Sequence, residues 1–286
     1  MTAEALKVEA PSGKGAGDEN FPVGSFLLPA RLRPHVARFY AFARAIDDIA
    51  DNPDLASDDK IARLDAMEQA LTGKADPQAP GLDKAHAIRE SLVETDVTTR
   101  HCQDLISAFK QDAVKSRYDD WDDLIDYCNR SAAPVGRYLL DLHGDGPAQY
   151  PYSDALCNAL QVINHLQDCA DDHAELNRVY LPGDWMAAEG TDVTALAADA
   201  ASPEMRRVLD RCIEGVRALL AQSQRLPSAL SSRRLALESA VIVQIALRLT
   251  DELARRDPIA ERIELTKPQF LACALRGVWS ALTTRI

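Results

Sequence analysis

The segment Asn164-His165-Leu166-Gln167-Asp168-Cys169-Ala170-Asp171-Asp172 spaces an amide and two carboxylates four residues apart, at Asn164, Asp168 and Asp172, with Asp171 beside them. On an α-helix that spacing aligns side chains on one face, about 5.4 Å apart along the axis. Like charges so placed cost a helix about 0.2–0.5 kcal/mol per pair, so the pattern makes sense beside a cation. A second stretch, Arg44-Ala45-Ile46-Asp47-Asp48-Ile49-Ala50-Asp51, repeats the device with Asp47 and Asp51, and Asp48 adjoins them. Two oxygen-rich faces suit Mg²⁺, a hard cation held by one or two carboxylates together with substrate phosphates and water. The competing reading is a pair of solvated acidic faces. Against it, both clusters are flanked by apolar sequence, Phe39-Tyr40-Ala41-Phe42-Ala43 and Ala155-Leu156 through Val162-Ile163. The second cluster also mixes Asn with Asp at a strict period, which solvation does not require.

The elements that must position these groups read as helices. Apolar residues are 47% of the 286, glycines number 13, and β-branched runs are few, so an all-α core is expected. Val36, Phe39, Tyr40, Ala43 and Ile46 recur at three- and four-residue steps over 30–51, which Asn52-Pro53 ends. Ser57 is expected to cap a helix to about residue 71, stopped by Gly73, before a Pro/Gly-rich loop at 74–82. Further helices are expected at 83–94, 98–112, 119–142 (kinked at Pro134), 153–172, 203–223, 232–256 and 267–283. Asn177 to Pro182 reads as extended, and 183–201 as loop with one short helix. The sum is one domain of about ten helices over 19–286, after a flexible tail at 1–18 that has little to bury.

The totals bound the partners. A net charge of −12 argues against nucleic acid. Cys102, Cys128, Cys157, Cys169, Cys212 and Cys273 form no CxxC pair and read as buried, reduced thiols of a cytoplasmic protein. No signal peptide opens the sequence and no apolar run reaches the roughly 18 residues of a spanning helix. Contact with a membrane is therefore expected from the surface, peripheral on the inner membrane, with Trp185 and Met186 of the 183–201 segment as a lid or lipid contact.

The two acidic stretches, Tyr127-Cys128 and Arg178-Val179-Tyr180-Leu181-Pro182, taken in this order, resemble the squalene/phytoene synthase family over nearly the whole chain after residue 19. The resemblance implies an isoprenoid synthase fold, a single helical domain with a central apolar cavity and two aspartate-rich helices at its mouth. It implies Asp47, Asp48, Asp51, Asn164, Asp168 and Asp172 as Mg²⁺ ligands, Arg44 as a diphosphate contact and Tyr127 as a tyrosine at the reaction site. The segment from Glu19-Asn20-Phe21 to Leu28-Pro29, and His165 to Asp172, are similar to the family's hopanoid-pathway branch. Phytoene-forming and presqualene-forming relatives usually carry serine where Asn20 stands and arginine where Gln167 stands. Condensing two diphosphates favours an extra cation. An enzyme that ionises one preformed diphosphate can replace that arginine with Gln167, whose uncharged amide could instead hold a water.

The implied reaction is presqualene diphosphate plus water giving hydroxysqualene plus diphosphate, with Asp47, Asp51, Asp168, Asp172, Tyr127 and Gln167 at its centre. Arg44 is the first-choice clamp, with Arg178, Arg262 and Lys267 behind it. Asn20, Phe21, Phe39, Tyr40 and Tyr127 are expected along the substrate's path, where π faces stabilise a carbocation. No NADPH is expected. The expected pathway partners are a presqualene diphosphate synthase and a flavin-dependent desaturase. Plainer readings stand beside these. Tyr127, Phe39 and Tyr40 lie at core spacing. His165 points away from the acidic face and reads as structural. Arg178 could fix its loop, and Arg44 could pair with Asp48. The rival functions are another head-to-head synthase acting on farnesyl diphosphate, or a catalytically silent assembly partner.

Overall fold

A computed structural model describes Val8 and residues 28–283. Asn20 and Phe21, and all of the proposed tail except Val8, lie outside the described residues; Val8 is buried. Among the described residues the protein is all-α, with thirteen α-helices and two 3₁₀ turns. The one β-bridge pairs Tyr118 with Pro182. The chain divides into two compact units, Met1–Val114 and Lys115–Ile286.

The first unit holds α1 (Arg33–Asp51), α2 (Ser57–Leu71), α3 (Asp83–Thr95) and α4 (Arg100–Asp112). Pro34 starts α1 within its first turn, and Asn52, held extended ahead of Pro53, ends it. Phe39, Phe42, Ile46 and Ile49 bury one stripe of α1, which packs on α2, α3 and α4. Ser57 lies inside α2 rather than capping it. Ala56 occupies the cap without a side-chain bond, so Asp58 and Asp59 in the first turn stabilise that end through the helix dipole.

The second unit is built on α7 (Tyr150–Gln167), which packs against α5 (Trp121–Ser131), α6 (Ala133–His143), α10 (Pro203–Ser223) and α12 (Arg233–Leu253). The helix expected over 119–142 is two helices. Ala132 leaves helical geometry at φ −123°, and Pro134 sits in the first turn of α6, where its missing N–H costs nothing. The helix expected over 153–172 also divides, at Asp168 (φ −105°, ψ 9°), into α7 and α8 (Cys169–Leu176). From Asn177, left-handed at φ 50°, the chain runs extended to Pro182, and Val179 N–H donates to Ser116 O at 3.0 Å.

The 183–201 segment carries α9 (Gly183–Glu189) and a 3₁₀ turn, and it is packed down. Met186 is buried. Trp185 stacks on Trp121 at 5.4 Å, with the Arg211 guanidinium 4.3 Å over its ring. Gly215 makes room for this stack, since a Cβ there would fall 2.5 Å from the Trp121 ring. Met186 is thus buried and Trp185 half-buried against Trp121 and Arg211, which leaves little of either side chain to meet lipid. α11 (Leu226–Ala229) joins α10 to α12, and α13 (Lys267–Thr283) packs on α12. Among the described residues no helix is long and apolar enough to cross a membrane. None of the six cysteines is in a disulfide, and burial pushes the Cys157 and Cys169 thiols up to about 12.

Candidate active site

In the first unit, Tyr40, Arg44, Asp47 and Asp51 follow one another at steps of four, three and four residues, so they share a half-buried face of α1. Arg44 spans two carboxylates, with Nη1 3.0 Å from Asp47 Oδ2 and Nη2 3.0 Å from Asp48 Oδ1. Arg44 thus does pair with Asp48, and with Asp47 as well. Asp48 is buried, whereas Asp47 keeps 28% of its side-chain surface. Protein nevertheless surrounds Asp47 densely. Its carboxyl is held well above the usual range, first by desolvation and then by Asp51, against the pull of Arg44. Asp48 and Asp112 push the same way. Asp112, buried at the C-terminal end of α4, went unnoticed in the sequence. Its only signal there is an acid at the negative end of a helix dipole, where acids are disfavoured. The Asp47 carboxyl stays raised despite Arg44, so a cation bound beside it would favour its charged form.

In the second unit, the break at Asp168 leaves the four-residue spacing intact. Asp168 N–H donates to Asn164 O at 2.9 Å, and Asp172 N–H donates to Asp168 O at 2.8 Å. Asn164, Asp168 and Asp172 are all half-buried, while Asp171 is exposed. Arg262 Nη2 lies 3.2 Å from Asp168 Oδ1 and its Nε 3.3 Å from Glu264 Oε1. Gln167 is 2% exposed and points elsewhere, its amide Nε2 donating to the backbone carbonyl of Ile263. Gln167 therefore anchors the segment that places Arg262 on Asp168. Of the other expected cations, Arg178 is buried next to His165 and Lys267 opens α13 on the surface.

Tyr127 is buried in a cluster of rings. Its centroid lies 5.3 Å from Tyr118, 5.6 Å from Tyr180 and 6.1 Å from His165, and His165 stacks on Tyr180 at 3.6 Å. Burial, then Arg178, lowers the His165 pKa to about 3, so the imidazole is neutral. Its Nε2 lies 3.2 Å from Gln161 Nε2. His165 is buried and stacked within this cluster. Tyr118 and Tyr180 went unremarked as its companions; the Tyr118–Pro182 bridge that helps join them comes from the extended segment. Among the described residues, no three His, Cys, Asp or Glu side chains are arranged to hold a metal ion by themselves.

The squalene/phytoene synthase family model matches residues 15–269. A hydroxysqualene synthase of Zymomonas mobilis is 42% identical over 92% of this chain and 88% of its own length. A second, from Rhodopseudomonas palustris, is 40% identical over 97% of this chain and 94% of its own. The crystal structure of squalene synthase HpnC from Alicyclobacillus acidocaldarius superimposes with a TM-score of 0.72 at 31% identity, covering 82% of this chain and 87% of that one. With its all-helical architecture and its two acidic helical faces, the chain belongs to the squalene/phytoene synthase family.

Proposed function

We propose that this chain converts presqualene diphosphate and water to hydroxysqualene and diphosphate. The observation that carries this reading is its 40–42% identity to hydroxysqualene synthases over most of both lengths. A prenyl diphosphate needs its leaving group held and its cation sheltered, and one feature of the chain supports each task.

The first is the pair of acidic faces. Asp47, Asp48 and Asp51 on one face, and Asn164, Asp168 and Asp172 on the other, are the residues that would hold magnesium, which when bound would supply Lewis-acid neutralisation of the departing diphosphate. The carboxylates that raise the pKa of Asp47 fit this role, because a bound cation relieves their repulsion. Magnesium bound by one or two of these side chains would draw its remaining oxygens from substrate phosphate and water. Arg44 and Arg262, already seated on the carboxylates, give the diphosphate its cationic contacts. Gln167 acts as a positioning residue through the Ile263 carbonyl.

The second is the ring cluster around Tyr127. Tyr118, Tyr127 and Tyr180 are the π faces that would stabilise a carbocation, and neutral His165 adds no opposing charge. Water capture of the cation leaves an alcohol and consumes no reductant, so NADPH is not needed.

Incubating the purified full chain with Mg²⁺ and either presqualene diphosphate or farnesyl diphosphate, with and without NADPH, tests this. Conversion of presqualene diphosphate to an alcohol without NADPH supports it. Product from farnesyl diphosphate points to another head-to-head synthase, and diphosphate release from neither points to a silent assembly partner.

A further inference from the structure

Five of the seven large apolar side chains exposed among the described residues lie on α13: Phe270, Leu271, Leu275, Trp279 and Leu282. Leu271, Leu275, Trp279 and Leu282 follow at steps of four, four and three, so they form one stripe along the helix. Trp279 is 72% exposed. The helix is inverted relative to an ordinary surface helix. Its buried positions are the small Cys273 and Gly277, and a Cβ on Gly277 would fall 2.5 Å from Val241 Cα in α12. Small residues thus seat α13 closely on α12, and the large ones face away.

The charge of this element also departs from that of the chain. Residues 267–286 carry Lys267, Arg276 and Arg285 and no acid, in a chain of net charge −12. Lys267 and Arg276 are exposed. An open surface groove of about 540 Å³, lined by Gln244, Leu275, Arg276, Trp279 and Ser280, brings apolar and cationic groups together. The family match ends at residue 269, ahead of the stripe.

We propose that α13 docks on an anionic phospholipid bilayer, with its leucines and Trp279 in the boundary between headgroups and acyl chains and its basic side chains on lipid phosphate. An amphipathic helix with an indole on its apolar face and only cations among its charges suits that interface. An acidic chain is repelled by an anionic surface over most of its area, so attraction has to come from a locally basic element. The same charges disfavour a second copy as the occupant. A two-fold pairing of α13 would bring like cations together with no acid in the helix to meet them.

Co-sedimentation of the full chain with vesicles of equimolar phosphatidylglycerol and phosphatidylcholine, against pure phosphatidylcholine, tests the proposal, alongside size-exclusion chromatography. Binding to the anionic vesicles is expected, weakened about tenfold or more in the double variant Leu275→Ser/Trp279→Ser. Arg276→Glu should weaken it less and reduce its salt sensitivity. Both changes are at exposed positions, and unchanged circular dichroism would confirm folding. Absence of binding to anionic vesicles overturns the proposal, as does undiminished binding by the double variant. A dimer that this variant dissociates, with no vesicle binding by either form, assigns the face to a second copy instead.

Discussion

The two acidic faces differ in how they are held. On α1, Arg44, Asp47, Asp48 and Asp51 all belong to one unbroken helix, and the Arg44 counter-ion comes from the same turns, with Asp112 of α4 pressing on Asp47 from outside. The one on α7 and α8 crosses a helix break and takes its counter-ion from Arg262, whose segment Gln167 secures through the Ile263 carbonyl, 96 residues along the chain. A face built within one helix keeps its geometry as long as the helix persists. A face built across a break depends on a distant segment staying docked, and is the easier of the two to disturb by a single substitution outside it.

Replacing the carboxylates should have the largest effect and make the two faces look alike. Asp47→Asn and Asp168→Asn are each expected to lower the rate of diphosphate release by about a hundredfold or more, with the fold retained. A large loss in one and none in the other would break the equivalence. Gln167→Ala should then separate the faces. It leaves the Ile263 carbonyl without its donor and is expected to cost about 1–3 kcal/mol in urea unfolding, with a fall in activity as Arg262 shifts. If stability and activity both hold, the second face does not rely on residue 263.

A pH scan sharpens the contrast, because His165 belongs to α7, the helix that begins the second face. Its folded pKa of about 3 is below the ordinary 6.5. Between those values the unfolded chain binds a proton that the folded chain refuses, so stability falls as pH is lowered through that window. The slope has a ceiling of about 1.4 kcal/mol per pH unit, and His165→Phe, which keeps a ring against Tyr180, should flatten it. The smallest effect is expected for Arg262→Gln. Arg262 is 46% exposed, and its pair with Asp168 should contribute within about 1 kcal/mol to thermal stability, less in high salt. Arg44→Gln should cost more, since Arg44 is shielded and holds two carboxylates.

The same contrast explains what could be read from the sequence. Most of the α1 face was legible, because Arg44, Asp47, Asp48 and Asp51 fall within two turns of one helix. Helices such as α3, α10 and α13 were equally legible, from apolar periodicity and nearby Gly or Pro. The spacing of Asn164, Asp168 and Asp172 was legible too, but the break at Asp168 was not, since the hydrogen bonds that keep the period also keep its pattern. Pro134 announced a disturbance without saying whether the helix would bend or end. Gln167's tie to Ile263, the pressure of Asp112 on Asp47 and the burial of Met186 are all tertiary, and no local rule reaches them. Asn20 and Phe21 lie outside the described residues.

The paired indoles of Trp121 and Trp185 have a spectroscopic consequence. Rings 5.4 Å apart and 9° from parallel couple their electronic transitions, whereas Trp279 stands away on the open side of α13. The near-ultraviolet dichroism of the protein should therefore be dominated by one junction, where α9 meets the start of α5. Loss of that signal on warming, ahead of the helical signal, would time the detachment of α9 without any added label.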